Sequence, residues 1–197
     1  VRKNKVYGLK NASNSTLAQL TGIYIIGGSG GSNRTWTVSN NAVSLDNGGI
    51  SSDLTISGIY DGQSAAGTGN YYYNSVYIGG NSTATDWPTS KISAPFLRNP
   101  NANRDIGGAM DIRNNIFFNN RGGNHVNPAI ANYSASPASG WGTNASNYNL
   151  LVTNSVLKAM WNLTVVDESN WKSGAFANSD QNSVFKNAIS SGNSDAS

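Results

Sequence analysis

Tyr71-Tyr72-Tyr73-Asn74-Ser75-Val76-Tyr77-Ile78-Gly79-Gly80 places one asparagine between two runs of aromatic and β-branched residues and closes on paired glycines. The flanking runs have strand composition, and the glycines mark a turn. Related strings occur at Asn4-Lys5-Val6-Tyr7, Asn41-Ala42-Val43-Ser44-Leu45 and Asn114-Asn115-Ile116-Phe117-Phe118. Counted at Asn4, Asn41, Asn74 and Asn114, the spacings are 37, 33 and 40 residues. A second motif falls between them, at Thr21-Gly22-Ile23-Tyr24, Ser57-Gly58-Ile59-Tyr60, Ala94-Pro95-Phe96-Leu97 and, in weaker form, Asn127-Pro128-Ala129-Ile130. Taken at Ile23, Ile59, Phe96 and Ala129, its spacings are 36, 37 and 33. Two motifs keeping step at a period of tens of residues identify a repeat architecture, either propeller blades or the coils of a solenoid.

The asparagine decides between the two. Successive coils of a parallel β-helix lie about 4.8 Å apart, so equivalent side chains at a bend stack directly. An inward asparagine both donates to and accepts from its copies above and below, and asparagine tolerates the left-handed backbone of a sharp corner. The pairs Asn40-Asn41, Asn74-Ser75 and Asn114-Asn115 fit such a corner, and no blade signature recurs. The expected fold is all-β: a right-handed parallel β-helix of about five coils over residues 1–156, with an irregular C-terminal cap over 157–197 carrying a short helix near Trp171. The ladder is expected to run through Asn4, Asn41, Asn74 and Asn114.

Composition agrees. The 197 residues suit one domain with a real core. Charged residues make up 12% of the chain, about half the usual share, while there are 30 Asn, 27 Ser and 22 Gly. That excludes a coiled coil or helical bundle, which needs strong helix formers in bulk. The formal charge of +3, with no basic run beyond Arg2-Lys3-Asn4-Lys5, is no nucleic-acid footprint. The absence of cysteine excludes thiol chemistry and cysteine-ligated metals. No apolar run approaches a membrane span, and Val1-Arg2-Lys3 lacks both an initiator Met and a signal core. The expectation is a chain that begins after processing or within a longer protein. Its seven Asn-X-Ser/Thr sequons are about what an asparagine-rich composition gives by chance.

The strings Gly58-Ile59-Tyr60-Asp61, Tyr71 to Gly80, Phe96-Leu97-Arg98 and Asp111-Ile112-Arg113-Asn114-Asn115-Ile116-Phe117 resemble the repeats of right-handed, pectin-lyase-like β-helices in secreted surface proteins of Bacteroidota-like bacteria. Asn147-Tyr148-Asn149-Leu150-Leu151 and the stretch from Trp171-Lys172 to Asn182-Ser183-Val184 resemble the coil that closes such a segment. The resemblance spans nearly the whole chain. It implies export, often by the type IX route, and a role in adhesion or surface structure.

Candidate chemistry is sparse. A polysaccharide lyase or hydrolase built on this architecture would use Asp111, Arg113 and His125, but fold analogy does not establish a site. Oxygen-rich loops at Asp46-Asn47-Gly48-Gly49 and Asp61-Gly62-Gln63 lack the alternating acids of a calcium site, so no cofactor is expected and calcium is the one ion considered. Trp36, Tyr71, Tyr73, Trp87 and Trp141 are the candidates for stacking on sugar faces. Alternation puts Tyr71 and Tyr73 on one face and Tyr72 on the other. The expected function is non-enzymatic: a secreted structural or adhesive module, self-associating head to tail or meeting adjoining repeats, with surface glycans as further partners. The alternative is a β-helix that binds or cleaves polysaccharide.

Overall fold

Lys3, Asn40, Tyr73, Asn114 and Tyr148 all have left-handed backbone, with φ between 55° and 57°. At each the chain turns, and the next residue points inward. The computed structural model describes residues 1–13, 18–26, 34–46, 54–63, 67–83, 92–99, 109–123, 127–134, 137–138 and 140–188. His125 and Trp87 lie outside the described residues, as do Asn47 to Gly49.

The five corners divide the chain into turns of a parallel β-solenoid. A first sheet contains β1 (Lys5–Tyr7), β4 (Ala42–Leu45), β7 (Ser75–Ile78), β10 (Ile116–Asn119), β13 (Leu150–Thr153) and β16 (Val184–Asn187), paired in that order and all parallel. A second contains β2 (Gln19–Ile25), β5 (Thr55–Asp61), β8 (Ala94–Arg98), β11 (Ile130–Asn132) and β14 (Ala159–Trp161), again parallel. A third contains β3 (Arg34–Ser39), β6 (Gly67–Tyr72), β9 (Ala109–Arg113) and β12 (Ser146–Asn147). The chain visits them in rotation for about four turns, close to the five expected. Then β15 (Thr164–Val166) folds back antiparallel on β14, α1 (Glu168–Lys172) follows, and β16 returns to the first sheet.

Pairing sets the core register. Val6, Val43, Val76, Phe117 and Leu151 occupy one inward row of the first sheet. Ile23, Ile59, Phe96 and Ile130 form the facing row of the second, and Val38, Tyr71 and Ile112 that of the third. Ring contacts link the sheets, Tyr71 to Phe96 at 4.9 Å and Phe96 to Phe117 at 5.9 Å between centroids. The first and second sheets approach so closely that a Cβ on Gly58 would lie 2.1 Å from Val76 Cγ1 and 2.7 Å from the Pro95 carbonyl oxygen. The repeated Gly-Ile-Tyr motif therefore marks a close packing position inside a strand.

The asparagine ladder lies just inside the corner between the third and first sheets. Asn41 Oδ1 accepts from Asn4 N at 3.0 Å and Asn4 Nδ2 at 2.9 Å. Asn74 Oδ1 accepts the same pair from Asn41 at 3.2 and 2.9 Å, and Asn115 Oδ1 from Asn74 at 2.9 and 3.0 Å. Asn149 Oδ1 receives both donors of Asn115. From Asn41 to Asn149 the amide nitrogen also reaches a backbone carbonyl of the preceding coil, at Val1, Val38, Tyr71 or Ile112, while that of Asn4 reaches the Arg2 carbonyl.

The expected ladder needs one correction. Asn114 is not in the row; it is the exposed corner residue, and Asn115 points inward. Aligning Ile116 with Val76 as the β-branched partner causes the slip, because Ile116 pairs with Ser75 on the outside while Phe117 pairs with Val76 inside. The second motif slips in the same way, since Ile130 rather than Ala129 pairs with Phe96.

After Asn149 no asparagine follows. Ser183 occupies the next rung, its Oγ accepting from Asn149 N at 2.8 Å, and Asp180 Oδ1 takes Asn149 Nδ2 at 3.0 Å. Asp180 Oδ2 also accepts from Trp171 Nε1 at 2.9 Å. Helix α1 is capped by Asp167 Oδ1, which accepts from Asn170 N at 2.8 Å, and buries Trp171 completely. Trp141, Trp161 and Trp171 meet edge to face at 5.7 to 5.9 Å and plug this end of the stack.

Candidate functional site

The outward side of the third sheet carries its charge. Asp111 and Arg113 alternate with inward Met110 and Ile112, so both face outward. One turn earlier, Tyr72 sits beside Arg113 in register, and its hydroxyl donates to Asp111 Oδ2 at 2.5 Å. Arg113 Nε pairs with Asp111 Oδ1, and Arg113 Nη2 reaches the Asn144 carbonyl at 3.3 Å. Partial burial, then the bond to Asp111 and its negative charge, push the Tyr72 hydroxyl up to about 12. Both oxygens of Asp111 are therefore engaged, one by a cation and one by a hydroxyl.

The outward side of the first sheet is different. Lys5, Tyr7, Ala42, Ser44, Ser75, Tyr77, Ile116 and Phe118 line an open groove of about 320 Å³. Small residues form its floor, and Tyr77 meets Phe118 edge to face at 5.4 Å. Tyr7, at one end, is 74% exposed. From β5 to β14 the outward side of the second sheet, by contrast, is covered: Tyr60, Leu97, Ala131 and Met160 pack with Ile92 and Ala94 in a second apolar cluster, while Tyr24 on β2 stays exposed.

The corners form a ridge between the first and third sheets. Tyr73 is 60% and Tyr148 54% exposed, and Lys3, Asn40 and Asn114 in the same column are exposed as well.

The expected stacking residues separate accordingly. Tyr71 and Trp141 are corrected to core residues: Tyr71 is fully buried between Val38 and Ile112, and Trp141 belongs to the tryptophan plug. Trp36 faces inward, partly buried, and its Nε1 donates to the Tyr71 hydroxyl at 2.9 Å. Tyr73 alone of the described candidates is exposed, and it lies at the corner rather than on the face of Tyr71. Asp111 and Arg113 come together as an ion pair.

Sequence reasoning missed Tyr148, Tyr7 and Tyr77, whose shared columns appear only once the coil register is known. It also missed a buried charge column, in which Asp61 pairs in register with Arg98, and Arg98 Nη1 donates to Asn132 Oδ1 at 3.3 Å. Burial, followed by the Asp61 charge, raises the Tyr71 hydroxyl well above its usual value. Among the described residues no cluster of three or more His, Asp or Glu gathers that could hold a metal ion, and no helix is long and apolar enough to cross a membrane.

None of the family models, curated proteins or solved structures compared with the chain matches it. The resemblance noted in the sequence therefore rests on the parallel β-solenoid architecture alone.

Proposed function

We propose that the protein is a non-enzymatic structural or adhesive module of an extracellular surface protein or fibre. The supporting observation is directional. Among the described residues, strands β1 and β16 are the outer members of the first sheet, each hydrogen-bonded on one side in the sheet order, and every pairing within that sheet is parallel. A further parallel coil, whether from an adjoining repeat or another copy of the chain, extends such a sheet at the ordinary strand spacing. The engaged carboxylate of Asp111 supports the non-enzymatic part, and the absence of thiols together with a surface rich in neutral polar groups suits export.

Light scattering over a concentration series, with negative-stain electron microscopy of the same samples, tests the structural half. Mass rising with concentration, or fibres with a regular axial repeat, is the expected result; a single-chain particle throughout overturns it. Release of reducing ends or unsaturated uronates from a panel of polysaccharides would overturn the non-enzymatic reading.

A further inference from the structure

Two tyrosines in the corner ridge occupy a backbone conformation that suits them poorly. At φ 55° and 56°, Tyr73 and Tyr148 hold the left-handed region that disfavours a bulky L-residue, whereas Asn40 and Asn114 in the same column are of the type that enters it readily. Strain of this kind persists where the surroundings impose it, and it concentrates at functional positions. Here the ladder imposes the corner, because Asn74 and Asn149 are held from both neighbouring coils just inside it. Packing does not repay the tyrosines, since both rings are more than half exposed. Asparagine at either position would make the same turn at lower cost. What tyrosine adds is an aromatic face turned to solvent.

The column has a spacing as well as a chemistry. Tyr73, Asn114 and Tyr148 lie in successive coils, so the two tyrosines stand about 10 Å apart along the axis with an amide between them. Aromatic rings stack on the apolar faces of sugars, and amides bond their hydroxyls. Two flat platforms separated by two coil heights suit alternate rings of an extended β-1,4-linked chain, in which every second ring presents the same face. The corner positions from Tyr73 to Tyr148 carry no charge of their own and Arg113 beside them is paired with Asp111, while Lys3 stands two coils away at the first corner of the ridge.

We propose that the corner ridge of Tyr73, Asn114 and Tyr148 binds a neutral β-1,4-linked polysaccharide running parallel to the solenoid axis. This deepens the adhesive half of the function proposed above and does not depend on end-to-end association.

The test uses the whole chain, microcrystalline cellulose and chitin as solid probes, and cellohexaose and chitohexaose in calorimetry. The variants are Tyr73→Asn, Tyr148→Asn and the double substitution, with Tyr24→Ser as a control at an exposed tyrosine outside the ridge. Each ridge substitution is expected to weaken binding about tenfold, while the melting temperature stays level or rises as the backbone strain is relieved. The control should bind like the original. Failure of the unaltered chain to bind any of the four probes overturns the proposal, as does full binding by the double variant. A fall in melting temperature would make the tyrosines structural and overturn it as well. Light scattering on the same variants keeps the two readings apart, since association should be unaffected by the ridge substitutions.

Discussion

Asn74 and Asn115, 41 residues apart in sequence, meet side chain to side chain, with Nδ2 of the first 3.0 Å from Oδ1 of the second. The same oxygen also takes the backbone N–H of Asn74 at 2.9 Å, so one carbonyl satisfies two buried donors of the coil before it. Loss of one side chain from the middle of the row breaks bonds in three coils.

Asn115→Ala should therefore cost about 3 kcal/mol or more, because buried donors on Asn74 lose their acceptor. Its neighbour supplies the contrast. Asn114→Gly, at an exposed corner with φ 57°, should change stability by less than about 0.5 kcal/mol. Urea denaturation of the two variants measures both, and equal losses would remove the distinction between corner and ladder.

Gly58→Ala should destabilise by about 2–4 kcal/mol through overpacking. The new methyl would overlap Val76 Cγ1 and the Pro95 carbonyl oxygen. Val76→Ala in the same chain should recover only part of the loss, since the backbone contact remains. Complete recovery in thermal melts would show that the sheets have room to separate.

Trp171→Phe removes the indole N–H from Asp180 Oδ2 while keeping an aromatic ring in the plug. The expected cost is about 1–3 kcal/mol. Replacing the indole that meets Trp141 and Trp161 should also weaken the near-ultraviolet circular dichroism of the folded protein. An unchanged spectrum would mean that the three indoles are not coupled as described.

Alkaline titration should reveal two late tyrosines and one hidden one. Burial, followed by the charge of ionised Tyr24, raises Tyr60 to about 12, and Tyr72 reaches about 12 through burial and Asp111, from an ordinary value of 10.0. Tyr71 is raised well above that ordinary value. A raised tyrosine favours the neutral form in the folded state. Its contribution to stability is thus fully present below pH 10 and lost as pH rises through about 12. Melting temperature should fall across that interval, and tyrosinate absorbance should show a late component that shrinks in Tyr60→Phe and Tyr72→Phe. The Tyr71 signal should appear only with unfolding.

The repeat was legible in the sequence because its inward residues are chemically uniform for three coils: asparagine followed two places later by valine at Val6, Val43 and Val76. It blurred where Phe117 replaced valine and a second asparagine, Asn114, stood beside the first. A one-residue slip reverses which side of a sheet every residue faces. The tyrosines of the first sheet's groove, and the column that sets Tyr148 with Tyr73 on the ridge, were hidden for a related reason. Their columns join residues from different turns, and lengths between ladder positions vary too much for a fixed period to bring Tyr73 over Tyr148. The pairing of Asp61 with Arg98 escaped notice because charged residues at strand ends read as surface, and only register places one over the other in the interior.

The ladder also acts as a compass needle. In every rung, from Asn4 to Asn149, the side chain donates to the next coil in sequence, and the last such bond ends on the carboxylate of Asp180. The two ends of the described ladder are consequently unlike, one an amide and the other an acid. Two chains meeting through identical tips would oppose like groups and interrupt the pattern, so a symmetric pair cannot continue it. An assembly that prolongs this ladder has a direction, with tips that need not grow at the same rate.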